Sequence, residues 1–239
     1  MNIPANYSPA HMLGRLASGT CILSRDTGPT AIFSGHFSVE VLQPVFEELL
    51  SIQKLLGILV MGYLLGSIPF ASLAARTRGV DIFTTGSAKA GAANVFWHIG
   101  HGTGAMVLAG DVAKGSAAVI AAGFIDLSPS VLLLAWGAAI LGHWKSAFSG
   151  FRGGDGMATL IGATIALEPV LSVLGIVVGL FAALVLWRAP LRSIWGLFAG
   201  FTAILVVSQY YQIDRELVFG IVFLALLVLF HSLLAKWRR

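Results

Sequence analysis

Two glycine-rich segments hold the residues of this chain whose types and spacing best suit phosphate chemistry. Residues 86–94 read Gly-Ser-Ala-Lys-Ala-Gly-Ala-Ala-Asn, and residues 150–159 read Gly-Phe-Arg-Gly-Gly-Asp-Gly-Met-Ala-Thr. Glycine allows backbone N–H groups to turn toward a ligand, and the first turn of a helix has N–H donors without partners. Each segment therefore predicts an anion-binding cradle at the start of a membrane helix, in a chain that handles a phosphate at the membrane surface.

A second group of candidates consists of charged residues and histidines within or beside apolar runs. Asp111 and Lys114 lie one turn apart on a predicted helix. Charged side chains are costly in a bilayer unless they pair or face a site, so this spacing suits a structural ion pair and a substrate contact equally. His143 and His231 are isolated in the sequence, and each either lines a site or is a histidine at the membrane interface.

Several motifs of known catalytic chemistry do not occur in the sequence. It has no HExxH motif, no CxxC motif and no cluster of carboxylates, so no metal centre is expected. It also has no Gly-x-Ser-x-Gly elbow, which disfavours a serine acyl-enzyme.

Composition places these residues in a membrane protein. Hydrophobic residues make up 57% of the chain and charged residues 11%, with a mean hydropathy of +0.87. Soluble domains have about 25% charged residues, so the chain is predicted to be an all-α polytopic membrane protein with about six or seven spans. The net charge of +4 suits anionic lipid headgroups and substrates. The basic residues are scattered, which argues against binding to nucleic acid.

The apolar runs predict seven spans and one half-helix. The spans are expected at about 53–75, 104–125, 130–147, 157–168, 170–187, 193–211 and 217–236, and the half-helix at 91–101. With the N-terminus outside, the basic loop residues gather on one side and only Arg215 lies in the opposite short loops. This asymmetry predicts an inner or plasma membrane protein whose glycine-rich segments face the cytosol.

The beginning of the chain differs from the rest. Residues 1–51 are predicted to be a divergent, flexible extension, and residues 52–239 the transmembrane domain. Residues 1–38 are polar and their apolar runs are too short for a signal peptide. Residues 39–50 predict a short amphipathic piece on the bilayer surface.

An ordered set of short motifs surrounds the two segments. The set comprises Tyr63-Leu-Leu-Gly-Ser-Ile-Pro-Phe70, Gly79-Val-Asp-Ile82, Gly86-Ser87, Gly91-Ala92, Asn94-Val95-Phe96, Asp111-x-x-Lys114-Gly115, Gly142-His143 and Phe151-x-Gly153-Gly154-x-Gly156-x-Ala158-Thr159. In order and spacing these motifs resemble those of the bacterial acyl-phosphate-dependent glycerol-3-phosphate acyltransferases. The resemblance extends from about residue 54 to the C-terminus.

The resemblance implies a seven-helix membrane enzyme that moves a fatty acyl chain from acyl phosphate to the hydroxyl of glycerol 3-phosphate. The product would be lysophosphatidate, an intermediate of phospholipid synthesis. No cofactor is implied, because the mixed anhydride is already activated, and in that family the substrate phosphate takes the place of a dedicated protein base. The expected partners are acyl phosphate, glycerol 3-phosphate and membrane lipid, with the oligomeric state left open.

The resemblance also implies roles for individual residues. The Ser87 hydroxyl, the Asn94 amide and the N–H groups of residues 86–91 would bind the acyl-phosphate headgroup and the oxyanion that develops on its carbonyl. The alternative is a helix N-cap with a glycine hinge. Ser87 and His231 are the expected catalytic residues. The expected substrate-binding residues are Gly86, Lys89, Gly91, Asn94, Asp111, Lys114, His143, Gly153, Gly154, Gly156 and Thr159.

Several positions depart from the family pattern, among them Ala88, Lys89, Ala90 and Ala93 in the first segment. Trp97 stands where the family has an arginine, Asp155 where it has a lysine, and Leu234 where it has an asparagine. A carboxylate repels a nearby phosphate unless it turns away, pairs with Lys145 or Arg152, or holds a cation. The other interpretation is a solvated aspartate that caps the next helix.

These departures leave more than one function open. Lys89 either restores the positive charge lost at Trp97 or is a solvated loop lysine. A catalytically impaired paralogue would bind acyl phosphate or lipid, or regulate an active partner. The same residues would also suit an enzyme with a different acceptor, or a small transporter with discontinuous helices.

Overall fold

The structure is a computed structural model that describes residues 39–190 and 192–237. The chain divides into two units, Met1–Leu42 and Gln43–Arg239. The predicted flexible extension over residues 1–38 lies outside the described residues. The fold described here is that of the second unit.

Nine α-helices and one turn of 3-10 helix form in the described residues, and no strand is found among them. The helices are α1 (Val39–Ser67), α2 (Phe70–Arg76), α3 (Ala92–His98), α4 (His101–Gly123), α5 (Pro129–Trp144), α6 (Met157–Leu167), α7 (Pro169–Val185), α8 (Arg192–Tyr210) and α9 (Arg215–Trp237), with the 3-10 turn at Ala147–Ser149. Proline occupies the first position of both α5 and α7, where its missing N–H costs no hydrogen bond.

The protein is an integral membrane protein of the all-α class. Four segments are long and apolar enough to cross a membrane, namely Gln43–Arg76, His101–Gly123, Pro129–Ser149 and Arg215–Ala235. Three shorter apolar helices, Met157–Leu167, Pro169–Val185 and Ile194–Tyr210, correspond to the remaining predicted spans. Large apolar side chains such as Val173 and Phe223 are exposed on the outer helix faces, as expected for contact with lipid.

The first predicted span, at about 53–75, lies within the segment Gln43–Arg76 and is divided into two helices. Helix α1 ends at Ser67 and α2 begins at Phe70, because Pro69 lacks an N–H and cannot continue the helix. The amphipathic piece predicted at residues 39–50 is wrong as a separate element, since it is the first part of α1. The half-helix predicted at residues 91–101 is confirmed as α3.

Helices α4 and α6 approach each other at backbone contact. A Cβ atom on Gly115 would overlap the carbonyl of Thr159, and one on Gly162 would overlap the carbonyl of Val112. The Ser116 hydroxyl donates a hydrogen bond to the Gly162 carbonyl at 2.6 Å. This close packing fixes the charged residues of α4 against the start of α6.

Helices α1 and α5 also pack through glycine. A Cβ on Gly66 would overlap the backbone of Ala139, and one on Gly142 would overlap the carbonyl of Tyr63. The Tyr63 hydroxyl donates to the Lys145 carbonyl at 2.7 Å. The end of α1 is therefore held beside the end of α5, where the second glycine-rich segment begins.

Candidate active site

The side chain of Asn94 organises the first glycine-rich segment. Its Nδ2 donates to the carbonyls of Thr85 at 2.9 Å and Lys89 at 3.0 Å. Its Oδ1 accepts the Ser87 N–H at 3.0 Å, and the residue is buried. Because both ends of the amide are used inside the loop, Asn94 holds the loop in shape and has no free donor for the phosphate contact that we predicted.

Most backbone N–H groups of residues 86–91 are used inside the protein. The donors are Ser87, Ala88, Ala90 and Gly91, and their acceptors are Asn94 Oδ1 and the carbonyls of Thr85, Gly153 and Lys89, respectively. These four N–H groups are not available to a phosphate in this structure. The anion-binding groups that this segment offers are therefore chiefly the side chains of Ser87 and Lys89.

The glycines of the second segment permit its close approach to the end of α5 and to the first segment. A Cβ on Gly153 would overlap the His143 carbonyl, and one on Gly154 would overlap the Ala90 carbonyl. The Gly154 N–H donates to the His143 carbonyl at 3.3 Å. In this structure these glycines thus allow contact with the end of α5 and with the first segment, where the sequence predicted contact with a ligand.

The two glycine-rich segments meet each other. The Ala90 N–H donates to the Gly153 carbonyl at 3.2 Å. The Lys89 ammonium group forms an ion pair with the Asp155 carboxylate, and both side chains are partly buried. Segments that lie more than sixty positions apart in the sequence thereby form one continuous surface.

The environment of Asp155 differs from each of its expected ones. Its carboxylate pairs with the lysine of the first segment, and neither Lys145 nor Arg152 is its partner. The Arg152 guanidinium lies over the Phe83 ring, 4.1 Å from the ring centroid. The prediction that Asp155 caps α6 is wrong, because Gly156 is the N-cap with a φ of 88° and no side-chain hydrogen bond caps the helix.

A buried polar cluster lies beneath the two segments. Asp111 Oδ1 lies 2.8 Å from Lys114 Nζ, so the two residues form an ion pair. His143 Nδ1 lies 3.7 Å from Asp111 Oδ1 and 3.3 Å from the Thr159 hydroxyl. All four side chains are buried, so the cluster satisfies its members mutually within the helix bundle.

The groups that donate hydrogen bonds to the free carbonyls at the end of α1 were not predicted from the sequence. The break at Pro69 leaves carbonyls without helical partners, and Lys114 Nζ donates to the Ile68 carbonyl at 3.0 Å. The Ser146 hydroxyl donates to the Ser67 carbonyl at 2.5 Å. A cation at a helix C-terminus is favourable, so Lys114 both neutralises an aspartate and stabilises the break. The Ser-Ile-Pro motif was the available signal.

His231 lies behind the second segment. Its ring stacks on Trp144 with centroids 4.1 Å apart and planes 13° from parallel. Its Nδ1 is buried without a hydrogen-bond partner among the described residues. His231 is not among the residues that line the groove with Ser87, the other expected catalytic residue.

A groove of about 220 Å³ collects most of the other candidates. It is lined by both glycine-rich segments, by α4 and α5, and by the first turns of α6. The polar and charged side chains along it are those of Ser87, Lys89, Asn94, Asp111, His143 and Asp155. This groove is the candidate active site.

An apolar cavity of about 260 Å³ adjoins the groove between α6, α7 and α8. Met157 and Ile161 line both spaces. Helices α7 and α8 lie close together because they meet at glycines, and a Cβ on Gly179 would lie 2.7 Å from the Gly196 carbonyl. A groove that carries several polar and charged side chains thus opens beside an apolar space within the bundle.

Trp97 brings no charge to this region. It is 65% exposed on α3 and packs edge-on against Phe96 and His101, with centroids 5.0 and 6.0 Å away. Lys89, the residue that would restore the charge lost at Trp97, is already engaged by a carboxylate.

The chain is similar over most of its length to proteins of one family. A family model described as glycerol-3-phosphate acyltransferase matches residues 56–237. The chain belongs to this glycerol-3-phosphate acyltransferase family. A relative named glycerol-3-phosphate acyltransferase from Roseiflexus sp. (strain RS-1) is 41% identical over 121 residues, which is 51% of this chain and 60% of that protein. The chain thus spans less than two thirds of the length of this curated relative.

The fold is similar to that of PlsY, described as an integral membrane glycerol 3-phosphate acyltransferase. Its glycerol 3-phosphate form has a TM-score of 0.66 and 27% sequence identity, covering 77% of this chain and 90% of that one. Its lysophosphatidic acid form has a TM-score of 0.63 and 28% identity, covering 74% and 87%. The predicted all-α membrane fold is confirmed, and the acyltransferase family gives the groove a chemical context.

Proposed function

We propose that this chain transfers a fatty acyl group from acyl phosphate to glycerol 3-phosphate and releases lysophosphatidate. The observation that carries the proposal is the groove in which both glycine-rich segments meet, with Ser87 and Lys89 on its wall and His143 on its floor. Membership of the glycerol-3-phosphate acyltransferase family supports the reaction. The two PlsY forms support a phosphorylated glycerol as acceptor and its acyl ester as product.

The proposed reaction needs no covalent enzyme intermediate. The acceptor hydroxyl attacks the carbonyl carbon of acyl phosphate, a C–O ester bond forms, and the C–O bond to phosphate breaks. Inorganic phosphate leaves, and the hydroxyl proton passes to a substrate phosphate oxygen. The Ser87 hydroxyl donates a hydrogen bond to the oxyanion that develops on the carbonyl, which is the stage at which such a donor contributes most.

The buried cluster supports this groove from below. Asp111 and His143 line it, and the contacts with Lys114 and Thr159 fix their positions. We assign substrate positioning to His143 and Asp111, because their rotamers are held by buried partners. His231 supports the second segment through Trp144 and acts indirectly on the reaction.

The acyl chain is proposed to lie in the apolar cavity between α6, α7 and α8. That cavity shares Met157 and Ile161 with the groove, so an acyl group whose carbonyl sits near Ser87 has an apolar path away from it. Burial of each CH₂ group contributes about 0.8 kcal/mol, which makes such a path favourable for a fatty chain.

The proposal places the chemistry in residues 52–239 and on the cytosolic face of an inner or plasma membrane. The family match begins at residue 56, and every described residue that lines the groove lies within that match. The basic loop residues, among them Lys89, Lys145 and Arg152, support a cytosolic position for both segments.

Turnover by the purified protein tests the proposal. Protein in detergent or nanodiscs is supplied with glycerol 3-phosphate and, in parallel, acyl phosphate, acyl-CoA or acyl carrier protein as donor. Of the three donors, only acyl phosphate is expected to give lysophosphatidate. Replacing glycerol 3-phosphate with glycerol as the acceptor should give no product. Ser87→Ala should lower the rate about tenfold to a thousandfold. Ser130→Ala is the matched control, since this exposed serine lies about 20 Å along α5 from His143.

A catalytically impaired paralogue is the second candidate function. It is favoured by the engagement of Lys89 by Asp155 and by the absence of a charge at Trp97. Binding of acyl phosphate without turnover, together with a rise in turnover for Asp155→Lys combined with Trp97→Arg, would support it. If the protein neither bound nor turned over acyl phosphate or glycerol 3-phosphate, both candidate functions would be contradicted.

A further inference from the structure

Lys89 and Asp155 both line the groove and form an ion pair there. The pair joins the two glycine-rich segments, and the side chains are 20% and 28% exposed. Ion pairs with this degree of exposure stabilise a fold only slightly. A pair at this place therefore calls for a role other than folding.

Lys89 is the one lysine or arginine among the residues that line the groove. Of the two carboxylates along it, Asp111 is neutralised by Lys114 in the buried cluster. Asp155 has Lys89 as its partner. A phosphate that enters the groove thus meets a single ammonium group, and a carboxylate is already bound to that group.

An ammonium group has three N–H donors, so Lys89 can contact a phosphate while it keeps or exchanges its bond to Asp155. The phosphate is attracted by Lys89 and repelled by the carboxylate behind it. Because the interaction falls with distance, the attraction exceeds the repulsion, but the carboxylate still weakens binding.

We propose that Lys89 is the phosphate-binding cation of this groove, and that Asp155 lowers the affinity for phosphate by competing for the Lys89 ammonium group. This inference rests on the proposed function and deepens it. The shared ligand chemistry is a phosphate group, carried by acyl phosphate or by glycerol 3-phosphate. Lys89 belongs to the first glycine-rich segment and the competing Asp155 to the second.

The decisive test is whether the KM for a phosphate substrate rises or falls when each partner of the ion pair is replaced. Lys89→Met is expected to raise the KM for a phosphate substrate about tenfold, since a charge-assisted hydrogen bond is lost. Asp155→Asn keeps the size and an oxygen acceptor, and is expected to lower that KM about threefold to tenfold, because the repulsion is removed. A structural ion pair would instead shift KM and thermal stability in the same direction for both variants.

Control variants away from the groove and a charge-retaining variant test whether the effects are specific to Lys89 and Asp155. Lys54→Met and Asp126→Asn change exposed residues that do not line the groove and should leave KM unchanged. Lys89→Arg should retain most of the affinity because the charge remains. In the Lys89→Met background, Asp155→Asn should have a smaller effect than in the wild-type protein, which a double-mutant cycle measures.

The two substrates separate the two sources of phosphate. A change confined to the KM for acyl phosphate places its headgroup at Lys89, and a change confined to glycerol 3-phosphate places the acceptor there. Equal signs for Lys89→Met and Asp155→Asn, or no effect of either, would overturn the inference.

Calorimetric binding keeps the inference testable if the wild-type protein has no turnover, which would refute the proposed function. Glycerol 3-phosphate and an acyl phosphonate are titrated separately into the full chain, with glycerol as the uncharged control. The dissociation constants should again change in opposite directions for the two variants. Failure of both ligands to bind would overturn the inference together with the function.

Discussion

The indole N–H of Trp144 donates a hydrogen bond to the carbonyl oxygen of Asp155 at 2.9 Å. The same indole stacks on His231 of α9. One side chain at the end of α5 thus ties the second glycine-rich segment to the last helix. This contact gives His231 an indirect influence on the loop that carries Asp155.

Replacement of Trp144 separates its two contacts. Trp144→Phe keeps an aromatic ring on His231 but loses the hydrogen bond, and should lower the free energy of unfolding by about 1 kcal/mol. Trp144→Leu loses the aromatic contact as well and should cost about 1 kcal/mol more. Thermal unfolding in detergent measures both. Equal stability of the Phe variant and the wild-type protein would show that the hydrogen bond contributes nothing.

The contact between the loops depends on Gly154. A methyl group there would overlap the Ala90 carbonyl, so Gly154→Ala should separate the segments and lower acyl transfer at least tenfold. Gly57→Ala is the matched control, because nothing lies within 4 Å of its added Cβ, and it should be neutral or slightly stabilising. Comparable losses of activity in the two variants would contradict the proposed loop contact.

The membrane helices were predictable because their apolar runs are bounded by prolines or polar residues. The break inside the first span was not predicted, although Pro69 marks it, since the apolar run continues through it to Ala75. The stabilisation of that break by Lys114 depends on packing between α1 and α4, which lie far apart in the sequence.

The sequence allowed the two segments of the candidate site to be predicted, but not most of the contacts that they make. The glycine pattern indicated both segments, but an N–H group that binds a ligand and one that binds a neighbouring loop have the same sequence signal. The use of the Asn94 amide inside its own loop and the pairing of Lys89 with Asp155 arise from tertiary contacts. No periodicity or local spacing encodes them.

The loop role of Asn94 predicts a local effect. Asn94→Ala removes the bonds to Thr85, Lys89 and Ser87, and should destabilise the loop by about 1.5–4.5 kcal/mol at roughly 0.5–1.5 kcal/mol per bond. Amide hydrogen exchange over residues 85–91 should become faster, while exchange in α8 stays unchanged. Gln209→Ala, at an exposed amide on α8, is the control. Unchanged exchange in the Asn94 variant would refute the loop role.

The buried pair of Asp111 and Lys114 predicts an asymmetric response. Asp111→Asn leaves an uncompensated buried ammonium group and should cost about 3–5 kcal/mol. The double variant with Lys114→Met removes both charges and should recover part of this loss, although the Ile68 carbonyl then lacks its donor. Thermal unfolding of the single and the double variant measures the difference in stability, with Asp126→Asn at an exposed residue as the control. A double variant less stable than Asp111→Asn would contradict an energetically coupled pair.

The apolar cavity between α6, α7 and α8 predicts chain-length selectivity. Ala183 lines the cavity on α7, opposite the glycines of α8 that leave it open. Ala183→Trp should fill part of the space, so the kcat/KM ratio of long to short acyl phosphates should fall about tenfold, while turnover of short donors changes little. The comparison of acyl phosphates of increasing length measures this ratio. Leu184→Trp is the matched control, because this exposed residue is adjacent in the chain but does not line the cavity. An equal loss for all chain lengths in the Ala183 variant would show that the acyl chain lies elsewhere.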